Sequence, residues 1–357
     1  MAWTGRRASR ILDFCKGVDV VLIVNTSGVD PNFLYVTGFR SGLFESTFLR
    51  IGRKRTAIAT SILEYGTAVK QADKDLEVIK ISSRDDVERF LSGIKGRVVG
   101  INGSRLSYRM YRVLVKYKPR RIVDVSDELL SARLVKDGTE INRIGEAASI
   151  TKEAMARISK SFRIGITELE LASRFDSISS ALGSEGPSFK TIVCFGKNAA
   201  YPHHFPDSTR LRDGEFVLID AGAKVGNYSS DITRTFVFGN AGNRYGRMKE
   251  MYDTVKEAHD MAIRSIRPGM EGKEIHKIAQ DHIDGAYGGK YKGRFIHSLG
   301  HSLGIEVHDG PGFSQTAEGK IGQGMVITVE PGIYVDGFGG VRIEDDVLVT
   351  KNGAKIL

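Results

Sequence analysis

The chain has 357 residues, of which 41% are hydrophobic and 27% charged, a composition typical of globular proteins. This length predicts two domains, and the apolar content excludes a largely disordered chain. The longest apolar run, near Val20–Val24, is far shorter than the roughly 20 residues that a membrane span needs. The net charge of +9 lies in residues 1–130, which carry 23 Lys and Arg against 14 Asp and Glu.

These basic residues are scattered and form no nucleic-acid-binding motif, so we expect a solvated basic surface and no nucleic-acid partner. No apolar stretch follows the basic N-terminal residues, so we expect no signal peptide. Two cysteines, Cys15 and Cys194, are too few for a disulfide framework. Together these features predict a cytoplasmic protein without a membrane partner.

Residues 1–130 alternate between short apolar runs and stretches of helical periodicity. Strands are predicted at Val18–Val24, Phe48–Ile51, Thr56–Ile62, Leu76–Ile81 and Val98–Ile101. Helices are predicted at Ser83–Ile94 and Ser104–Tyr117, with Ser83 and Ser104 as N-caps. This order predicts an α/β domain over residues 1–130.

Residues 131–357 begin with a different pattern, a long helix over Thr139–Phe162 and a second helix from Thr167 to about Leu182. Further helices are predicted at about Arg247–Ser265 and Glu271–Asp284. Strands are predicted at Thr191–Phe195, Glu215–Ala221, Asp231–Phe238, Phe295–Leu299, Gly304–Val307, Met325–Val335 and Val341–Thr350.

An internal repeat relates the two halves of this second domain. Ser161, Arg163, Gly165 and Glu170 recur 104 residues later as Ser265, Arg267, Gly269 and Glu274. Each set ends a long predicted helix and opens a shorter one. We therefore predict two α-α-β halves related by a pseudo-two-fold, with a ligand site between them.

Oxygen and nitrogen donors lie on strands or strand ends in both halves. They are Asp220, Asp231, His301, Glu330 and Glu344. Because an unpaired buried carboxylate is costly and four of them repel one another, this set favours divalent cations. Four carboxylates and one imidazole can hold two such ions, and the donor types suit Mn, Co, Fe or Zn. The alternative is that each acid is a salt-bridge partner or a turn residue.

A second chemistry is formally present, because Gly300-His-Ser302-Leu-Gly304 fits the G-x-S-x-G pattern of serine hydrolases. That motif requires a strand, a sharp turn and a helix, followed by an acid and then a histidine. Here only His308 follows, on a predicted strand. A metal site is therefore favoured over the active site of a serine hydrolase.

These segments resemble the pita-bread metallopeptidases, the family of methionine aminopeptidase, prolidase and aminopeptidase P. The matching motifs are Asp220-Ala-Gly-Ala, Ser230-Asp-Ile-Thr-Arg-Thr235, His297-Ser-Leu-Gly-His301-Ser-Leu-Gly304, Val307-His308, Thr328-Val-Glu-Pro-Gly-Ile-Tyr334 and Gly340-Val-Arg-Ile-Glu-Asp345. Residues 1–130, including Phe33-Leu-Tyr-Val-Thr-Gly-Phe39, resemble the extra N-terminal domain of prolidase, aminopeptidase P and creatinase. The resemblance implies an N-terminal creatinase-like α/β domain and, over 131–357, a catalytic pita-bread α+β domain.

The resemblance also implies the chemistry. It assigns Asp220, Asp231, His301, Glu330 and Glu344 as ligands of two divalent ions, Mn or Co, with Fe or Zn as alternatives. Asp231 and Glu344 would bridge the ions, and a metal-bridging hydroxide would attack the scissile carbonyl. Glu330, His203 and His308 are the expected catalytic residues, and the expected substrate contacts are His203, Tyr334 and Arg342. His297 is expected to pack behind His301.

The implied activity is that of an exopeptidase that cleaves between an N-terminal residue and proline in small peptides, working as a homodimer. The motifs depart from the family at one informative place. In prolidases a basic residue that binds the dipeptide carboxylate commonly follows a few positions after the histidine that corresponds to His308. At those positions this chain has Gly310-Pro-Gly-Phe-Ser314, without an arginine. Longer peptides with proline second are therefore as compatible as dipeptides. The alternative to an enzyme is a non-peptidase member of the same fold that acts as a binding module.

Overall fold

The chain folds into two units that divide after Arg133, Met1–Arg133 and Leu134–Leu357. The computed structural model describes residues 2–26 and 28–357. No helix within those residues is long and apolar enough to cross a bilayer.

In the described residues of the first unit, a six-stranded mixed sheet in the order β4-β3-β2-β1-β5-β6 is accompanied by six helices. Its elements are α1 (Trp3–Phe14), β1 (Val20–Val24), α2 (Pro31–Thr37), β2 (Phe48–Gly52), β3 (Thr56–Ser61), α3 (Ile62–Gln71), β4 (Leu76–Ile81), α4 (Arg84–Ser92), β5 (Val98–Ile101), α5 (Tyr108–Val115), β6 (Arg121–Asp124) and α6 (Ser126–Leu134). Strand β1 is buried at every residue, as its apolar sequence predicts for a central strand.

The helix starts in this unit show how capping selects a boundary. Ser83 caps α4, since its Oγ accepts a hydrogen bond from the backbone N of Asp86 (3.3 Å). The prediction of Ser104 as the next N-cap is wrong. Ser107 caps α5 instead and accepts from the backbone N of Met110, while the Ser104 hydroxyl donates to Asn102.

The second unit contains two helix pairs and several small sheets. Its first half comprises α7 (Gly138–Ile158), α8 (Glu168–Ala181), β7 (Ile192–Phe195), β8 (Glu215–Ala221), β9 (Lys224–Val225), β10 (Tyr228–Ser229) and β11 (Ile232–Phe238). Its second half comprises α9 (Tyr245–Ser265), α10 (Gly272–Gly289), β12 (Val326–Val329), β13 (Gly332–Val335), β14 (Gly339–Arg342), β15 (Asp345–Thr350) and β16 (Gly353–Ile356). The strand orders are β11-β8-β7 and β12-β15-β16, with hairpins β9–β10 and β13–β14.

The predicted repeat corresponds to two equivalent helix-to-helix connections. The long helices α7 and α9 each have 21 residues. The shorter helices α8 and α10 both begin with a capping box, at Thr167 and Glu271. Gly165 and Gly269 both adopt a left-handed conformation, with φ of +83° and +95°, and each donates its backbone N–H to a carbonyl about fifty residues further along the chain.

The strand predictions fail where the chain carries the donor residues. Phe295–Leu299 and Gly304–Val307 form no strands; this region makes isolated bridges, such as His301 with Gly312. The predicted strand Met325–Val335 divides around Glu330 and Pro331, and Val341–Thr350 divides around Glu344. Proline has no backbone N–H to donate to a ladder, and that contributes to the first division.

Strand β8 lies between two hydrophobic clusters and explains how its acid is oriented. Phe216 and Leu218 belong to the cluster built mainly from the second half, and Val217 and Ile219 belong to the cluster beneath α7 and α8. Side chains alternate along a strand, so Asp220 projects on the same face as Leu218. The alternation of side chains along β8 therefore directs the Asp220 carboxylate towards the second half of this unit.

Candidate metal centre

The carboxylates of the first half lie on paired antiparallel strands. Asp220 of β8 is opposite Thr233 of β11, and Asp231 lies two residues before Thr233, so all three share one face. The backbone N–H of Asp231 donates to both carboxylate oxygens of buried Asp346 (3.2 Å). Asp231 is 5% exposed and Asp220 9% exposed.

The carboxylates of the second half occupy the two strand breaks described above. Val329 is paired with Asp345, so Glu330 and Glu344 leave the same end of the β12–β15 ladder. The Glu344 backbone N–H donates to the Thr233 carbonyl (3.2 Å), and the Thr233 hydroxyl donates to Oε2 of Glu344 (2.7 Å). These bonds join the two halves at the site.

His301 lies between these pairs. Its backbone N–H donates to Oγ1 of Thr328 (3.0 Å), and its Nδ1 is 3.4 Å from the Ser302 carbonyl. Because a carbonyl only accepts, Nδ1 carries the proton and Nε2 presents its lone pair. Nε2 lies 3.5 Å from Asp231 and 3.7 Å from Glu330.

The five predicted ligands converge on one cavity of about 480 Å³. Its lining also contains four further residues with polar side chains named in the sequence analysis: His203, His297, His308 and Arg342. His203 and His308 are both exposed. The ring centroid of His308 is 4.1 Å from that of His301.

Burial dominates the electrostatics of this cavity. It raises the pKa of Asp231 and Glu344 well above the usual carboxyl range, and mutual repulsion among the carboxylates adds to this. The pKa of Glu330 rises to about 8 through burial, opposed by Arg342 and reinforced by Asp220. Burial and then the neighbouring His308 lower the pKa of His301 to about 4. The imidazole is therefore neutral, as a metal ligand must be.

The donor set fits divalent cations on two further observations. Oδ1 of Asp220 is buried and accepts no hydrogen bond from any residue in the described ranges, so it has a lone pair to offer. Ligand atoms of Asp231, His301 and Glu344 lie within 4.8 Å of one another. Oxygen donors with one imidazole suit hard or borderline divalent ions.

Arg342 holds residues around this centre in place through hydrogen bonds. All three of its side-chain nitrogens donate to protein atoms: to Oδ2 of Asp220 (2.6 Å), the hydroxyl of Tyr334 (3.0 Å) and Oγ1 of Thr233 (3.0 Å). Tyr334 is 4% exposed, and its hydroxyl also lies 2.8 Å from Nε2 of His297. Burial raises the pKa of Tyr334 to about 12, so the phenol stays protonated.

The histidines separate into different environments. The sequence predicted that His297 packs behind His301. In the structure His297 lines the cavity, and its Nε2 contacts the hydroxyl of Tyr334. His204 points instead to Glu168 (2.7 Å). Thr233, Thr328 and Asp346 orient the ligands but received no individual role from the sequence, although all three lie inside the quoted motifs or next to them.

Comparison with known proteins also indicates a metallopeptidase. The sequence matches Metallopeptidase family M24 over residues 142–351 and the Creatinase/Prolidase N-terminal domain over residues 14–135. The chain therefore belongs to metallopeptidase family M24. The predicted family, fold class and metallopeptidase activity are confirmed, and the family implies divalent metal ions.

Individual relatives match almost the whole chain. An Xaa-Pro dipeptidase of Pyrococcus horikoshii is 37% identical over 98% of this chain and 96% of its own length. The prolidase structure from Pyrococcus furiosus aligns with a TM-score of 0.84 at 34% identity, covering 95% of this chain and 96% of that one. An X-Pro aminopeptidase structure from Thermotoga maritima aligns with a TM-score of 0.88 at 29% identity, covering 98% and 97%.

Proposed function

We propose that this metallopeptidase removes an N-terminal residue that precedes proline, using two divalent ions. The observation that carries the proposal is the convergence of four acids and one neutral imidazole on a single cavity. Relatives named Xaa-Pro dipeptidase and X-Pro aminopeptidase support the choice of bond. We assign Asp220, Asp231, His301, Glu330 and Glu344 as the residues that would hold the ions.

The proposed ions are Mn or Co, with Fe or Zn as alternatives, because the site offers carboxylates and imidazole and no thiolate among its lining residues. When bound, such ions supply Lewis-acid polarisation of the scissile carbonyl and lower the pKa of a water nucleophile. Arg342 and Thr233 hold Asp220 and Glu344 in orientation for binding them.

The remaining steps belong to the side chains of the protein. Glu330 is the least buried of the five proposed ligands, with 16% of its side chain exposed. We assign it the proton transfer from water to the leaving proline nitrogen. We assign to His308 the donation of a hydrogen bond to the tetrahedral intermediate, and to His203 the orientation of the substrate.

Tyr334 and Arg342 are assigned supporting roles. Tyr334 is buried, and its hydroxyl is hydrogen-bonded to His297 and Arg342, so we assign it the positioning of those two side chains rather than a direct substrate contact. Arg342 lines the cavity, but its nitrogens are directed at protein acceptors.

Proline selectivity has a basis in the cavity lining. The nitrogen of an Xaa-Pro bond carries no hydrogen, so a site for this bond needs space for the ring rather than an acceptor for an N–H. Phe189, Ile192, Pro202 and Val307 contribute an apolar surface to the cavity. Such a surface favours a pyrrolidine ring over a polar side chain.

The same lining bears on peptide length. Arg342 is the only Lys or Arg among the described residues that line the cavity, and it is hydrogen-bonded to the protein. A free guanidinium for a dipeptide carboxylate is therefore not provided by this lining. We propose that peptides longer than two residues are cleaved at least as well as dipeptides.

The test is hydrolysis of Ala-Pro and Ala-Pro-Ala by chelated protein, before and after adding Mn²⁺ or Co²⁺. Cleavage of the tripeptide at least as fast as the dipeptide supports the proposal, and faster cleavage of the dipeptide counts against the length preference. Cleavage of the dipeptide alone contradicts the length preference. Metal binding without cleavage of either peptide would overturn the Xaa-Pro activity and favour a binding module.

The predicted domain limits of 1–130 and 131–357 differ by three residues from the division after Arg133. We further propose a homodimer and a cytoplasmic location. The homodimer rests on resemblance to the family, and the location on the two-cysteine composition. Sedimentation equilibrium distinguishes a dimer from a monomer, and fractionation of the source cells tests the location.

A further inference from the structure

The buried carboxylate of Glu168 lies outside the metal centre and is bonded to the loop that carries His203. Glu168 is the first residue of α8 and is 0% exposed. Its Oε1 accepts from the backbone N of Phe195 (2.7 Å) and from Nδ2 of Asn198 (3.0 Å). Its Oε2 accepts from Nε2 of His204 (2.7 Å) and from the backbone N of Asp207 (3.1 Å). One side chain thus fixes both ends and the middle of segment 195–207.

These four hydrogen bonds offset the unfavourable free energy of burying the Glu168 carboxylate. An isolated buried carboxylate is strongly unfavourable, and it becomes tolerable when donors surround it. The N-terminus of α8 adds a favourable dipole. Glu168, His204 and Asp207 also have ligand atoms within 4.8 Å of one another, but the donors already present on both oxygens of Glu168 make this set a hydrogen-bonded anchor rather than a metal site.

His203 and His204 are neighbours in sequence with opposite environments. His203 is exposed and lines the metal cavity, whereas only 16% of the His204 side chain is exposed, at its contact with Glu168. Because the two share a peptide bond, a shift of His204 would move His203. Asn198 strengthens the anchor through a second bond, to Oγ1 of Thr209 (3.1 Å).

We propose that Glu168 and His204 are positioning residues, which act through the 195–207 segment to hold His203 in its place at the cavity. This inference rests on the substrate-orienting role of His203 proposed above. Segments without regular structure are more mobile than helices and strands, and a misplacement of about 1 Å can cost about 100-fold in rate. The bonds of Glu168 remove that freedom.

The test is a double-mutant cycle on Ala-Pro-Ala hydrolysis by the metal-loaded enzyme. His204→Phe keeps a ring but removes the donor to Glu168, and we expect kcat/KM to fall about 10- to 100-fold. His204→Gln retains an N–H donor and should keep most of the activity. In a His203→Ala background, His204→Phe should lower kcat/KM by less than about 3-fold, because the residue it positions is gone. Should His203→Ala leave too little activity, His203→Gln serves as the background.

A matched control is His282→Phe. His282 also pairs with a glutamate, Glu257 at 3.2 Å, but it lies on α10 and does not line the cavity. Its substitution should leave kcat/KM within about 2-fold of the unaltered enzyme. Metal content and thermal unfolding are measured for every variant, so that loss of fold or of ions is seen directly.

Non-additive effects of His203 and His204, with rescue by His204→Gln, support the inference. Equal losses from His204→Phe in both backgrounds, or no loss in the unaltered background, overturn it. The proposed function fails separately, if the unaltered enzyme shows no metal-dependent cleavage of Xaa-Pro bonds before any variant is compared.

Discussion

Once its divalent ions have been removed, the protein should become less stable as the pH rises from 6.5 to 8. Burial raises the pKa of Glu330 to about 8, against 4.5 for an ordinary glutamate. Above pH 4.5 the unfolded chain releases this proton while the folded protein retains it. The unfolded state then binds fewer protons, so the free energy of unfolding falls with increasing pH until the folded pKa is passed.

In the window from pH 6.5 to 8 the buried histidines of the cavity oppose this effect only weakly. The pKa values of His301 and His297 are lowered from 6.5 to about 4 and about 3, so above pH 6.5 both are mostly neutral in both states and contribute little. Each pH unit costs about 1.4 kcal/mol for Glu330, or about 2 kcal/mol across the window. Asp231 and Glu344, whose pKa values are also raised by burial, act in the same direction.

Calorimetry of the chelated protein at pH 6.5, 7.25 and 8 measures the effect. A loss of about 2 kcal/mol corresponds to a fall of about 4–8 °C in the Tm of a domain of this size. The single tryptophan, Trp3, lies in the first unit, so its fluorescence does not report on the second unit directly. Saturating Mn²⁺ should remove most of the slope, because the bound cation replaces the protons.

Glu330→Gln provides the control, since it removes one titrating carboxyl and should reduce the slope in the chelated protein. A Tm of the chelated protein that is constant or rises between pH 6.5 and 8 would refute the reasoning. It would mean that these carboxylates are ionised in the folded protein without a cation.

Three further substitutions test the site. Asp231→Asn should lose bound metal and activity together while circular dichroism stays unchanged; full activity would contradict the ligand assignment. Arg342→Met leaves Asp220 without its charged partner, and we expect metal affinity to fall about 10- to 100-fold in a metal titration. Gly300→Ala places a Cβ 2.1 Å from the Thr328 carbonyl oxygen, so we expect about 1–3 kcal/mol of destabilisation in denaturant unfolding; an unchanged midpoint would show that the backbone moves freely there.

The sequence predicted several elements to the residue. Strands β4, β5 and β8 have the predicted bounds, since a short apolar run between polar or turn residues needs only local information. The start of α8 was also predicted, because Thr167 and Glu170 form a capping box within one turn of helix. Helix α5 was misplaced at its start because Ser104 and Ser107 are equally suitable caps by residue type, and the fold selects one.

The predicted strands at Phe295–Leu299 and Gly304–Val307 show where local pattern fails. Phe295, Leu299 and Ile305 are buried, as a strand pattern implies, but Ile296 is exposed. Regular backbone pairing is found between the two predicted segments rather than along them. The His301 carbonyl accepts from Thr328, and the Leu299 carbonyl accepts from Glu330. Residues 299–303, between the two predicted strands, thus run antiparallel to β12, and this long-range pairing places His301 between two carboxylates.

By itself the sequence determined the donor types, the repeat and the family, because these depend on residue identity and spacing. Only the tertiary structure decided which groups meet, since the deciding contacts join residues more than a hundred positions apart. Thr233 reaches Glu344 across 111 residues and Arg342 reaches Asp220 across 122. The same holds for His203 and His204, identical in type and adjacent in sequence. Packing directs one to the cavity and the other to Glu168, and no local period distinguishes them.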